Sequence, residues 1–157
     1  MTKIVYPGSF DPITNGHLDI IKRLSRQFDQ VIVGVAVNSD KNPLFTIDKR
    51  VNLINEVTDS LDNVSVESIN GLTVDFVKSK NASLIARGVR NINDFNDEKV
   101  LANTNKFLEN NIETMLIFSS PKFENLSSTS IKQLVNFKVD ISSLVPKKVL
   151  KELDYNE

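Results

Sequence analysis

The run Val31-Ile32-Val33-Gly34-Val35-Ala36-Val37 contains no charged or hydrogen-bonding side chain. A strand this uniformly apolar needs cover on both faces, which a parallel sheet flanked by helices supplies. The rest of the chain fits that frame. Ile4-Val5-Tyr6 is a short β-branched and aromatic run stopped by Pro7-Gly8, which predicts a buried strand entering a turn. Leu18, Ile21, Leu24 and Phe28 then recur at helical spacing, with Lys22, Arg23 and Arg26 mostly off that stripe. Thr46 is placed to cap a second helix carrying Val51, Ile54, Val57 and Leu61, and Val64, Val66 and Ile69 alternate as the next strand.

The pattern continues with a short helix from Thr73 to Lys80 and a short strand at Leu84-Ile85-Ala86. A more polar helix from Asn93 to Glu109 follows, its apolar contacts expected from Val100, Leu101 and Phe107. Met115-Leu116-Ile117-Phe118 reads as a fifth strand, Ser128 to Phe137 as a helix, and Pro146 as the first residue of a last helix through Leu153. Parallel strands need crossover helices, and those crossovers are right-handed. The expectation is an α/β fold, a single-domain doubly wound, five-stranded, mostly parallel sheet over residues 1–157. Ligands in such sheets bind at the carboxyl ends of the strands. Functional residues are therefore sought in Pro7 to His17, Asn38 to Phe45, Asn70 to Thr73, Arg87 to Asp94 and Ser119 to Thr129.

Composition narrows the chemistry. Cys is absent, which excludes a disulfide framework, a thiolate zinc site, an iron–sulfur cluster and a cysteine nucleophile. A net charge of −1 gives no footprint for nucleic acid or an anionic membrane surface. The start of the chain lacks signal-peptide anatomy and no apolar run approaches spanning length, so the expectation is a soluble, cytoplasmic protein. There is one histidine, His17.

With Thr14 as N-cap, Ile13 and Leu18 fall at the hydrophobic-staple positions and His17 stands in the first helical turn. His17 shares the inward face of Ile21 and Leu24. A lone histidine on an apolar face is ordinarily a core residue satisfied by a carbonyl. Here inward also means toward the strand ends, where free N–H groups and the helix dipole attract an anion. Neither G-x-G-x-x-G nor a Walker loop is present, so any phosphate cradle is of another kind.

Thr14-Asn15-Gly16-His17 matches [HT]-x-G-H, and Ser127-Ser128-Thr129-Ser130-Ile131-Lys132 matches S-S-T-x-x-[RK]. Both motifs resemble those of the nucleotidylyltransferase superfamily. Together with Tyr6-Pro7-Gly8-Ser9-Phe10-Asp11-Pro12-Ile13, Lys41-Asn42-Pro43-Leu44-Phe45, Arg87-Gly88-Val89-Arg90 and Asp94-Phe95, the chain resembles the phosphopantetheine adenylyltransferase branch over nearly its whole length. The resemblance implies a Rossmann-like fold and transfer of AMP from ATP to 4′-phosphopantetheine, giving dephospho-coenzyme A and pyrophosphate. A substrate phosphate is already an anionic nucleophile, so such a reaction needs positioning and charge stabilisation rather than a general base.

The resemblance also implies roles. His17 stabilises the transition state, with Lys41 and Arg90 as the other catalytic groups. Ser9, Phe10, His17, Gly88, Val89, Arg90, Glu98, Phe123, Glu124, Asn125, Leu126, Ser127, Ser128 and Thr129 bind ATP, and Ser9, Lys41, Thr73 and Arg87 bind the pantetheine substrate. Each has a plainer reading: a turn serine at Ser9, a solvated Lys41, surface arginines, a helix cap at Thr73 and at Ser127 to Thr129, and acids complementing a helix dipole at Glu98. No acidic cluster has metal-ligand spacing, so Mg²⁺ is expected to arrive on ATP oxygens. Family analogy implies a homohexamer and feedback by coenzyme A.

Three departures from the family pattern concern the nucleotide side. Asp97 stands where tyrosine is frequent, Phe123-Glu124-Asn125-Leu126 replaces a W-S-F-I type loop, and Gln133 replaces a glutamate. Two other readings share the motifs: a sister enzyme adenylating nicotinamide mononucleotide or cytidylating glycerol phosphate, and an ATP-sensing module. The Tyr6 to Pro12 string, Lys41 with Pro43-Leu44-Phe45, and R-G-x-R favour the pantetheine branch, and intact His17, Lys41 and Arg90 disfavour the sensor.

Overall fold

A computed structural model describes residues 1–37 and 42–153. Five strands, β1 (Lys3–Gly8), β2 (Gln30–Ala36), β3 (Val64–Ile69), β4 (Leu84–Val89) and β5 (Glu113–Phe118), form one sheet in the order β3-β2-β1-β4-β5, every pairing parallel. The apolar run supplies β2 through Ala36, with Val31, Val33 and Val35 in one core and Ile32 in the other; Val37, expected in the strand, lies beyond it and is exposed. Helices α1 (Asn15–Ser25), α2 (Ile47–Thr58), α5 (Ser128–Asn136) and α6 (Lys147–Glu152) cover one face through a core that includes Ile21, Leu24, Val33, Leu53, Ile54, Ile131 and Val149. On the other face Val74 and Val77 of α3 (Thr73–Ser79) meet Val5, Ile32 and Ile85. α4 (Ile92–Leu108) lies against β4 and β5. Thr14, Thr46, Asn91 and Ser127 cap α1, α2, α4 and α5 with their side-chain oxygens.

Several expectations are corrected. β1 does not stop before Pro7: it continues to Gly8, paired with β2 through Pro7↔Gly34 and Gly8↔Val35. Its pairing with β4 is confined to Val5↔Ile85. Pro7 has no N–H to extend that ladder, and its carbonyl instead accepts Nη1 of Arg87 at 2.6 Å. β1 and β4 are the strands between which the sheet reverses direction, so the interrupted ladder opens a crevice at the topological switch point. β4 itself runs past Ala86, with Arg87, Gly88 and Val89 opposite Leu116, Ile117 and Phe118. Thr73 does not cap α3; Leu72 holds that position without a side-chain bond. Pro146 precedes α6 as its N-cap rather than opening it.

α4 departs furthest from expectation. Val100 is 68% exposed and Phe107 89%, with Leu101 also exposed, so these residues do not supply core contacts. The helix covers an edge of the sheet, where there is little apolar surface to bury, and its buried residue is Asn105. Ion pairs from its first two turns to β4 and the residue after it tie it down instead.

Candidate active site

The first turn of α1 is a capping box in which a histidine replaces the usual glutamate. Thr14 Oγ1 accepts the His17 backbone N–H at 3.3 Å, and the Thr14 backbone N–H donates to His17 Nδ1 at 3.1 Å. An Nδ1 that accepts a backbone proton leaves the imidazole proton on Nε2. Burial lowers the His17 pKa to about 4, helped by the positive charges of Arg90 and Arg87. Near neutral pH His17 is therefore an uncharged Nε2–H donor. The Phe10 ring meets it edge-on, with centroids 5.1 Å apart, and meets Tyr6 in the same way at 5.3 Å. To lie there Phe10 adopts a positive φ of 47°. A Cβ on Gly8 would lie 3.0 Å from the Phe10 ring, so a side chain there would press on it.

The remaining N–H groups show what the helix start offers. Asn15 N–H goes to Leu144 O and His17 N–H to the cap, whereas Gly16 N–H has no acceptor among the described residues. α5 is arranged alike. Ser127 and Ser130 form a capping box, and Ser128 Oγ donates to Pro12 O at 2.8 Å. The N–H groups of Ser128 and Thr129 and the Thr129 hydroxyl are left without a partner among the described residues. Two helix N-termini thus converge on one cavity of about 260 Å³, lined also by Ser9, Phe10, Arg87, Gly88, Phe123 and Leu126.

Both arginines are held before any ligand enters. Glu98 takes Arg87 Nε and Nη2 at 2.7 Å each, and Pro7 O takes Nη1. Asp94 takes Arg90 Nε at 2.8 Å and Nη2 at 3.1 Å, and Leu126 O takes Nη1 at 3.1 Å. A guanidinium has five N–H groups, so two remain on each arginine. Asp94 and Glu98 lie one turn apart on α4, forming a pair of carboxylate clamps. Arg87 and Arg90 are balanced in formal charge by these acids, so what these two side chains offer an anion is their remaining aimed N–H groups, beside those of the helix starts.

The chain matches the cytidylyltransferase-like family over residues 5–134. A phosphopantetheine adenylyltransferase of Clostridium novyi (strain NT) is 52% identical over 153 residues, covering 98% of this chain and 95% of the relative. One from Clostridium botulinum (strain Eklund 17B / Type B) is 50% identical over 149 residues, covering 95% and 94%. The chain belongs to the phosphopantetheine adenylyltransferase family. Its fold is shared with a putative nicotinate-nucleotide adenylyltransferase from Vibrio parahaemolyticus, with a TM-score of 0.68 at 20% identity over 98% of this chain and 91% of that one.

Of the residues to which the family resemblance gives a role, Ser9, Phe10, His17, Arg87, Gly88, Arg90, Glu98, Phe123, Leu126, Ser127, Ser128 and Thr129 line the cavity. Val89, Glu124, Asn125 and Thr73 do not, and Lys41 lies outside the described residues. The Phe10 ring is buried, leaving its backbone as the part able to meet a ligand. Sequence reading missed Tyr6, whose phenol burial keeps well above its ordinary pKa and so neutral, and Asp94 as a partner of Arg90. The second had a signal in the four-residue spacing of Arg90 and Asp94. Tyr6 stands in the string that carries the family resemblance, which attaches no role to it.

Proposed function

We propose that the chain transfers AMP from ATP to 4′-phosphopantetheine in coenzyme A synthesis. A phosphate oxygen of the acceptor attacks the α-phosphorus of ATP; that P–O bond forms as the bond to the β-phosphate oxygen breaks, and pyrophosphate carries away the negative charge. No proton has to be removed from the nucleophile. The observation that carries the reading is the uncharged, Nε2-protonated His17 set between two helix N-termini and two pre-aimed arginines. His17 Nε2–H donates to the α-phosphoryl oxygens as charge builds on them, a contact type worth roughly 10²- to 10³-fold in rate.

Arg90, Gly88 and Val89, with the Phe123 to Thr129 segment including Glu124 and Asn125, hold ATP. Arg87, Ser9, Thr73 and Lys41 hold the pantetheine substrate. Glu98 belongs with the ATP contacts and also grips Arg87. The carboxylates lining the cavity are each committed to an arginine, and among the described residues no group of acids could cage a metal. In this reading Mg²⁺ arrives on the ATP phosphates, as part of the substrate. We extend the reading to a cytoplasmic homo-oligomer, a hexamer by family analogy, and to feedback by coenzyme A. Exposed Val100, Phe107 and Phe118 at the sheet edge support subunit contact. No helix among the described residues is long and apolar enough to cross a membrane.

The decisive assay supplies Mg-ATP with 4′-phosphopantetheine, nicotinamide mononucleotide or glycerol phosphate and measures pyrophosphate. Release with phosphopantetheine alone is expected; no release with it overturns the proposal. Sedimentation decides the assembly, and addition of coenzyme A to the assay decides the feedback.

A further inference from the structure

We propose that Asp94 is a positioning residue for the nucleotide: through Arg90 it fixes the 123–126 loop against the start of α1. The inference rests on the reading of the cavity as an ATP site. A carboxylate lining a polyphosphate site is electrostatically adverse, so its presence there calls for a compensating task. Both Asp94 oxygens are spent on Arg90. Oδ2 takes Nε at 2.8 Å and the Arg90 backbone N–H at 3.1 Å, and Oδ1 takes Nη2 at 3.1 Å. Burial works against the charge on Asp94, but the hydrogen bonds and charge of Arg90 outweigh it and hold the carboxyl below its usual range.

The clamp also has an anchor. Asn91 Oδ1 accepts the Asp94 backbone N–H at 3.0 Å, which seats the residue in the first turn of α4. With the Nε/Nη2 edge of the guanidinium fixed, Nη1 is directed to Leu126 O at 3.1 Å. The loop so held packs on Gly16, where a Cβ would lie 3.4 Å from Phe123 and 3.8 Å from Leu126. Asp94, Arg90, Leu126 and Gly16 thus form one line of contacts from α4 to the helix bearing His17. A bidentate acid–guanidinium pair suits this task, because it fixes direction as well as distance.

The test is a double-mutant cycle read by calorimetric binding of Mg-ATP to the full chain, which needs no acceptor substrate. Asp94→Ala is expected to weaken binding at least tenfold, and Asp94→Ala with Arg90→Ala to bind no more weakly than Arg90→Ala alone. Asp94→Asn, which keeps the shape and loses the charge, is expected to lie between wild type and Asp94→Ala; it replaces the alanine variant if that fails to fold. Binding within twofold of wild type, or losses that multiply in full in the double variant, overturns the proposal, as does a wild-type chain that does not bind Mg-ATP. Failure of pyrophosphate release with phosphopantetheine, with this cycle intact, overturns the acceptor assignment alone.

Discussion

The backbone N–H of Thr14 donates to Nδ1 of His17 over 3.1 Å, so the cap of α1 also fixes the tautomer of the chain's single imidazole. One short turn therefore terminates a helix and sets which nitrogen faces the cavity. Because His17 stands alone, its titration is readable without assignment. An NMR titration should give a midpoint about 4 rather than the ordinary 6.5. Arg90→Ala should raise it, since a like charge is removed; a wild-type midpoint near 6.5 would refute the half-buried, neutral donor.

The same depression carries a stability signature. Below pH 6.5 the unfolded chain takes up a proton that the folded chain refuses until about pH 4. The His17 contribution is thus fully present above the unfolded value and is lost as pH falls across that window. The loss should be on the order of 3 kcal/mol. Denaturant unfolding at pH 7, 6, 5 and 4 checks it: wild type should lose more stability than His17→Gln, and parallel curves would count against it.

His17→Ala should lower kcat by roughly 10²- to 10³-fold while changing Mg-ATP affinity only a few-fold, because the contact strengthens as the α-phosphoryl gains charge. Steady-state kinetics beside direct binding separates the two. Equal losses in both would reassign His17 to ground-state binding.

Asp11 is 2% exposed and receives the N–H groups of Leu44 and Phe45, with Lys132 Nζ at 3.0 Å and Arg50 Nε at 4.0 Å. Arg50, 4% exposed, donates in turn to carbonyls of Ser9, Ala36 and Phe45. Removing one partner strands buried charge, so Asp11→Ala should cost about 3–5 kcal/mol in denaturant unfolding. A cost below about 1 kcal/mol would show that water replaces the carboxylate.

Gly34 of β2 has the Ile69 Cδ1 only 2.6 Å from where a Cβ would sit. Gly34→Ala should therefore destabilise by about 1–3 kcal/mol through overpacking. Ile69→Val removes that methyl group, and the double variant should lose less than the sum of the single losses. Additive losses in thermal unfolding would place the strain elsewhere.

Much of this was open to reading because it is local. A 3.6-residue period, a Thr or Ser before it and a β-branched run each act within one or two turns of chain, so the strands, the caps of α1, α2 and α5, and the inward face of His17 could be placed. β4 was read short because Arg87 and Gly88 are poor strand formers, yet pairing with β5 overrides that preference. Val100, Leu101 and Phe107 are apolar helix residues of the kind that normally seek the core; at the sheet edge α4 has little core to seek.

The amino-acid order alone determined the alternation of elements, the crossover architecture and the two helix-start motifs, since each depends on short-range sterics and hydrogen bonding. Tertiary structure decided how those motifs meet. Reversal of strand order between β1 and β4, with the ladder broken at Pro7, opens the crevice; only the docking of α4 against β4 sets Glu98 on Arg87, 11 residues before it in the chain. The Arg87–Glu98 pair forms only when two separate elements bring its partners within a few ångströms, and no local preference encodes that distance.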